Sequence, residues 1–174
     1  MKAPKQLVYS GTGFKVILLN FPVYQDDGEW LPDVGPMELH RVIARELLAR
    51  PSLLTGNELS FLRAHADLTR SECARQLGVT RRTLITWENA RDKGIAARPP
   101  QHVGLKAYFA KVILPRWMLP EAAAKPPKAH VKLPLRIDFR RFRNTFHPPN
   151  TDRAAALQDA QFFFQGNRLA PRAA

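Results

Sequence analysis

Apolar residues in the central part of the chain recur at helical spacing over three short segments, each of which opens with a threonine. Glu58 lies three residues after Thr55, and Glu72 lies three residues after Thr69. This is the spacing of a capping box, in which the hydroxyl and the carboxylate each bind a free N–H group at the helix start. Thr80 can cap the third segment without a glutamate. The pattern predicts three short helices, whose inner faces carry Leu59, Phe61, Leu62, Cys73, Ala74, Leu77, Leu84 and Trp87.

The junction between the second and third predicted helices is short. Gly78 can adopt the positive φ required just past a helix end, Val79 turns inward, and Thr80 begins the next helix. Ala74 is small enough to let the two helices approach closely. The sequence therefore predicts a tight helix-turn-helix whose last helix projects one face outward.

The projecting face carries Arg81, Arg82, Ile85 and Thr86. Two adjacent arginines in the first turn suit guanine, because a guanidinium group matches the O6 and N7 acceptors in the major groove of DNA. The alternative is that these are solvated charges on a three-helix core. We favour DNA binding, because the capped helices, the glycine turn and the arginines occur in one register.

Residues 68–89, LTRSECARQLGVTRRTLITWEN, resemble the helix-turn-helix of the Cro/phage-repressor (Xre) family, whose motif reads LTQ-x-E-LA-x-x-LGVS-x-x-T-x-x-x-WENG. The chain departs from this motif at Arg70, Cys73 and Ala90, where the family has Gln, Leu and Gly. The resemblance implies two groups of DNA contacts. The positions that match base-reading residues are Arg81, Arg82 and Thr86. The positions that match contacts to the phosphate backbone are Arg70, Thr80 and Asn89.

The composition of the N-terminal part predicts strands over residues 7–10 and 15–24, with a weaker third candidate at 29–31. Pro22 limits the second strand to a sheet edge or a bulge. Two helices are predicted to flank the helix-turn-helix, at residues 36–49 and 102–114. The apolar surface of the later helix is wider than one small core requires. It can close the core of the monomer or form a dimer contact, and we favour the dimer contact.

The resemblance extends upstream, since residues 9–10, 16–19, 23–24, 38–44 and 54–63 are similar to regulators of the YgiT/MqsA type. In that group a small β-rich module, often zinc-binding, precedes the same helix-turn-helix. This chain has no cysteine where zinc-binding members carry paired C-x-x-C ligands, so no structural zinc site is expected there. The resemblance implies an alternative function. The chain would be an antitoxin that neutralises a toxin through its N-terminal module or C-terminal tail and autoregulates its operon.

The C-terminal part is predicted to begin with an Ala/Pro/Lys-rich linker, followed by a strand over residues 131–139 that Pro134 places at a sheet edge. Three arginines are then interleaved with three phenylalanines, namely Arg140, Arg141 and Arg143 with Phe139, Phe142 and Phe146. Such a segment can grip phosphates as an auxiliary DNA contact, or dock on the body of the protein or on a partner. We favour DNA contact or partner docking. A short last helix is predicted over residues 151–165.

Positive charge is concentrated in the second part of the chain. Lys and Arg number 27 against 15 Asp and Glu, a net charge of +12. Residues 1–54 are neutral overall, whereas residues 55–119 hold 11 basic and 5 acidic residues and residues 120–174 hold 10 and 4. The excess begins where the helix-turn-helix unit begins, which favours a polyanionic partner such as double-stranded DNA.

Other classes of protein fit the sequence less well. One cysteine excludes an internal disulfide, and no apolar run resembles a signal peptide or spans a bilayer, so a cytoplasmic location is expected. The five histidines are scattered, and no nucleophile–base pair or metal-ligand spacing occurs. We therefore expect no enzymatic activity, no cofactor and no metal site.

These patterns predict a mainly α protein with a small N-terminal antiparallel β module, an α+β fold, built on a helix-turn-helix bundle of about five helices with an irregular C-terminal extension. The expected segments are a β-rich module at 1–36, a helical DNA-binding domain at 37–119 with its helix-turn-helix at 69–89, a linker at 120–130 and a basic extension at 131–174. The expected function is a sequence-specific transcriptional regulator, a dimeric repressor that reads the major groove with the helix at 80–89.

Overall fold

The computed structural model describes residues 5–114 and 134–142. The elements in these two segments confirm the predicted α+β class. Their order is β1 (Gln6–Tyr9), β2 (Val16–Leu19), β3 (Val23–Asp26), β4 (Glu29–Pro32), α1 (Pro36–Ala49), α2 (Gly56–His65), α3 (Arg70–Gln76), α4 (Arg81–Glu88), α5 (Pro99–Ile113), β5 (Leu135–Asp138) and a 3-10 helix, Phe139–Phe142.

The N-terminal strands form two small sheets because the predicted strand over residues 15–24 is interrupted. Asn20 adopts a φ of 50°, and Pro22 follows it, so β2 ends at Leu19 and β3 starts at Val23. β2 pairs antiparallel with β1, whereas β3 pairs antiparallel with β4. The β3–β4 turn contains Asp27 and Gly28, both at positive φ, which is typical of a two-residue hairpin turn.

The first part of the predicted C-terminal extension belongs to the body of the protein. β5 pairs parallel with β2 and forms one edge of a three-stranded sheet, as Pro134 predicted. Phe139 and Phe142 are buried in the core, and the rings of Phe139 and Phe21 meet edge to face at 4.2 Å between centroids. These phenylalanines therefore dock on the protein itself.

The core contains residues from both the strands and the helices. Val16 and Leu18 of β2 belong to the same buried cluster as Ile43 and Leu47 of α1 and Phe109 of α5. α1 packs against α2, α5 and β5. The division of the chain at residues 36 and 119 stays a prediction.

α5 begins at Pro99, three residues before the predicted start, because proline is tolerated in the first turn of a helix. Its inner face, which includes His102, Leu105 and Phe109, closes the core of the monomer. Val112 remains 46% exposed. Most of the apolar surface of this helix is therefore buried within the core of one chain.

Within residues 5–114 and 134–142, no helix has the length and apolarity needed to cross a membrane. The predicted linker at 120–130, the predicted helix at 151–165, Arg143 and Phe146 lie outside the described residues.

Candidate nucleic-acid interface

Threonine caps fix the starts of α2, α3 and α4, as predicted. Thr55 and Glu58 form a complete capping box, and so do Thr69 and Glu72. The Thr69 hydroxyl also donates to the Glu72 carboxylate at 2.7 Å, which holds the pKa of that carboxyl below its usual value. At α4, Thr80 Oγ1 accepts the N–H of Thr83 at 3.0 Å. Each helix therefore starts at the residue that the sequence indicated.

The turn between α3 and α4 is closed by backbone hydrogen bonds. Gly78 has a φ of 65°, the N–H of Gly78 donates to the carbonyl of Arg75 at 3.2 Å, and that of Val79 donates to the carbonyl of Ala74 at 3.0 Å. Ala74 is buried, and α3 packs against α4. α3 and α4 thus form the predicted helix-turn-helix. We call α4 the reading helix, after the base-reading role that the sequence predicts for it.

Glu88, at the end of the reading helix, joins the three helices α2, α3 and α4, which together we call the helix-turn-helix unit. Its side chain is 3% exposed, and its two carboxylate oxygens accept hydrogen bonds from Nε of Arg63 on α2 and Nε of Arg70 on α3, each at 2.6 Å. Arg63 also donates to the carbonyl of Leu68 at 2.7 Å. Charge-assisted bonds of this length are strong, so they fix the orientation of the reading helix.

The segment after the reading helix is clamped onto the start of α2. The N–H of Asn57 donates to the carbonyl of Arg91 at 2.9 Å, and that of Gly56 donates to the carbonyl of Lys93 at 3.2 Å. A Cβ on Gly56 would lie 2.5 Å from the carbonyl oxygen of Glu88 and from the nitrogen of Arg91. Only glycine allows this close approach. The clamped segment directly after the reading helix carries the exposed side chains of Arg91 and Lys93.

The predicted base-reading residues lie together on the outer face of the reading helix. Arg81, Arg82 and Thr86 are exposed, and Ile85 beside them is partly exposed. Neither guanidinium group has a hydrogen bond or ion pair with any residue in the described part of the chain. Thr86, in contrast, donates its hydroxyl proton to the carbonyl of Arg82 at 3.0 Å.

The predicted phosphate-contact residues differ in how they are engaged. Arg70 is 48% exposed although its Nε binds Glu88. The Thr80 hydroxyl lies 2.8 Å from the hydroxyl of Thr83, and either oxygen can be the donor. Thr80 can donate to a phosphate only when Thr83 supplies the proton of that bond. Asn89 is exposed at the C-terminal end of the reading helix.

The predicted auxiliary arginines lie on a different part of the fold. The 3-10 helix that carries them follows β5, which packs on α1 and β2, whereas the reading helix packs on α2 and α3. Arg140 binds Asp138 at 2.5 Å, which holds the pKa of that carboxyl well below its usual range, and Arg141 lies 3.3 Å from Glu46. Arg143 is outside the described residues.

Two residues of the unit were missed by sequence reasoning, Arg63 and Glu88. The signal for Glu88 was its position four residues after the buried Leu84, which places a carboxylate on the inner face of the reading helix. A buried carboxylate requires cationic partners, and Arg63 on α2 and Arg70 on α3 supply them.

Cys73 is fully buried on α3, and burial raises the pKa of its thiol to about 11, so the thiol is protonated at neutral pH.

Comparisons with protein-family models, curated protein sequences and solved structures find no significant match. The family assignment therefore stays a resemblance based on the motif at residues 68–89.

Proposed function

We propose that this protein is a sequence-specific DNA-binding transcriptional regulator that inserts the reading helix into the major groove. The observation that carries the proposal is the pairing of two features of this helix. Its inner side is fixed by Glu88, and its outer side presents Arg81 and Arg82, which are exposed and without partners in the described part of the chain. A rigid helix with free guanidinium groups at its first turn suits guanine recognition.

The charges around the reading helix support a polyanionic partner. Arg70 and Arg75 are exposed on α3, and Arg91 and Lys93 are exposed directly after the reading helix. Contacts of such side chains with phosphates position a protein on DNA without reading its sequence. The reading helix would then supply specificity, while Arg70 and its neighbours supply most of the salt-dependent affinity.

A dimer is part of this proposal, because a two-fold protein matches two half-sites about one helical turn apart. α5 offers Val112 as an exposed apolar side chain, next to the exposed Lys111. Repression would follow when the bound dimer occludes a promoter. The mass of the free protein, measured by light scattering, tests whether the dimer forms.

The base-reading role is tested by comparing Arg82→Ala with Arg136→Ala on a selected DNA site and on unrelated duplex DNA. Arg136 is an equally charged, exposed residue on β5 and serves as the matched control. We expect Arg82→Ala to weaken binding to the selected site by roughly 5- to 150-fold and to change binding to unrelated DNA little. Equal losses on both DNAs would mean that Arg82 contacts phosphate and does not read bases.

A further inference from the structure

Thr86 lies near the centre of the exposed face of the reading helix. The buried side of this helix carries Leu84, Trp87 and Glu88. Thr86 lies one turn after Arg82, and both residues lie on the side of the helix opposite to these buried residues. Both residues are exposed. If the reading helix enters the major groove, Thr86 therefore faces base edges together with Arg82.

The hydroxyl proton of Thr86 is already used within the helix. Thr86 Oγ1 donates to the carbonyl oxygen of Arg82 at 3.0 Å, and a hydroxyl has a single proton to donate. Thr86 therefore has no proton for the acceptor atoms N7 and O6 of purines. It can offer a base only the lone pairs of Oγ1 or its methyl group.

The neighbouring side chain favours the methyl group. Ile85 is partly exposed about 100° from Thr86 around the helix axis, and it adds apolar surface to the outward side of the helix. The major groove displays one apolar group, the C5 methyl of thymine. We infer that Thr86 reads a 5-methylpyrimidine, which is thymine in ordinary DNA, through its methyl group, and that Ile85 extends this apolar contact.

The geometry of the helix also sets where this base lies. Four residues advance an α-helix by about 6 Å, and one base step advances DNA by about 3.4 Å. The thymine should lie about one or two base pairs from the guanine bound by Arg82. The inference rests on the proposed function, since it requires the reading helix to lie in the major groove.

The test removes one methyl group at a time, from the DNA and from the protein. In a selected binding site, each thymine is replaced in turn by deoxyuridine, which lacks only the C5 methyl. Binding constants are measured for the full chain and for the variants Thr86→Val, which keeps the methyl group and loses the hydroxyl, and Thr86→Ser, which does the opposite. Thermal unfolding, monitored by circular dichroism, serves as the control for folding.

We expect one deoxyuridine position to weaken binding of the unmodified protein by roughly fourfold, the effect of one buried methyl group. Thr86→Val should bind the thymine site within about twofold of the unmodified protein and remain sensitive to deoxyuridine. Thr86→Ser should lose roughly fourfold on thymine and nothing further on deoxyuridine, because the contact is already absent.

The opposite pattern, in which Thr86→Ser binds normally and Thr86→Val loses affinity, would overturn the inference in favour of a hydrogen bond to a base amine. A selected site in which no thymine responds to deoxyuridine would also overturn it, while leaving the proposed function intact. If selection returns no preferred sequence at all, the proposed function fails before any variant is compared.

Discussion

Replacing Glu88 by glutamine perturbs the contact that joins the three helices of the helix-turn-helix unit. The substitution keeps the size of the side chain and removes its charge. Arg63, whose side chain is only 15% exposed, then loses its carboxylate partner inside the protein. Arg70 loses the same partner but is 48% exposed, so water can solvate it. The cost of the substitution should therefore come mainly from Arg63.

Leaving one member of a buried ion pair without its partner costs about 3–5 kcal/mol. The amide oxygen of glutamine still accepts one hydrogen bond, so we expect Glu88→Gln to lower the free energy of unfolding by about 3 kcal/mol. For a chain of this size that corresponds to a fall in Tm of roughly 6–12 °C. Arg70→Met removes a half-exposed pair and should cost only about 0.5–1 kcal/mol.

The assay is thermal and urea unfolding of Glu88→Gln, Arg70→Met, Arg63→Met and the double variant Arg63→Met/Glu88→Gln. The double variant should be more stable than the sum of the two single losses predicts, because removing Arg63 also removes the unpaired charge. If Glu88→Gln costs less than about 1 kcal/mol, or no more than Arg70→Met, the buried pair does not hold the unit together and the reasoning is refuted.

Two further predictions concern the same helices. Gly56→Ala should lower the free energy of unfolding by about 1–3 kcal/mol, because its Cβ would lie 2.5 Å from backbone atoms, whereas Gly104→Ala, whose Cβ meets nothing within 4 Å, should raise it by about 0.5–1 kcal/mol in urea unfolding. A similar loss for both alanines would contradict the close approach. Burial, with the charges of His40 and Arg41, lowers the pKa of His65 to about 4, below its unfolded value near 6.5. The unfolded chain therefore binds the extra proton between these pH values, and stability should fall by about 1–2 kcal/mol as the pH drops from 6.5 to 4, after allowance for partial exposure. His65→Phe should show a smaller fall over that range in urea unfolding, and an unchanged fall would contradict the assignment.

The sequence predicted those elements whose signals are local. α1 begins and ends at the predicted residues, and the caps at Thr55, Thr69 and Thr80 mark the starts of three helices. A cap is set by residues three positions apart, so a short stretch of sequence contains both partners of the interaction. The positive φ of Gly78 follows from the same kind of local pattern.

Contacts between distant residues could not be read in this way. The strand around Ile137 was predicted, but its parallel pairing with Leu18 depends on how the whole chain returns to β2. The break at Asn20 was missed because apolar residues continue on both sides of it. The ion pairs of Glu88 with Arg63 and Arg70 were missed, because they join residues 25 and 18 positions apart in the sequence.

The central claim, that the reading helix selects a DNA sequence, is tested most directly by in vitro selection of bound DNA from a random pool, with affinities for selected and unrelated duplexes measured at two salt concentrations. We expect a two-fold-related consensus with a guanine in each half-site, and a preference over unrelated DNA that persists at the higher salt. Binding that depends on salt but shows no consensus would contradict the claim. The helix would then be a general DNA anchor.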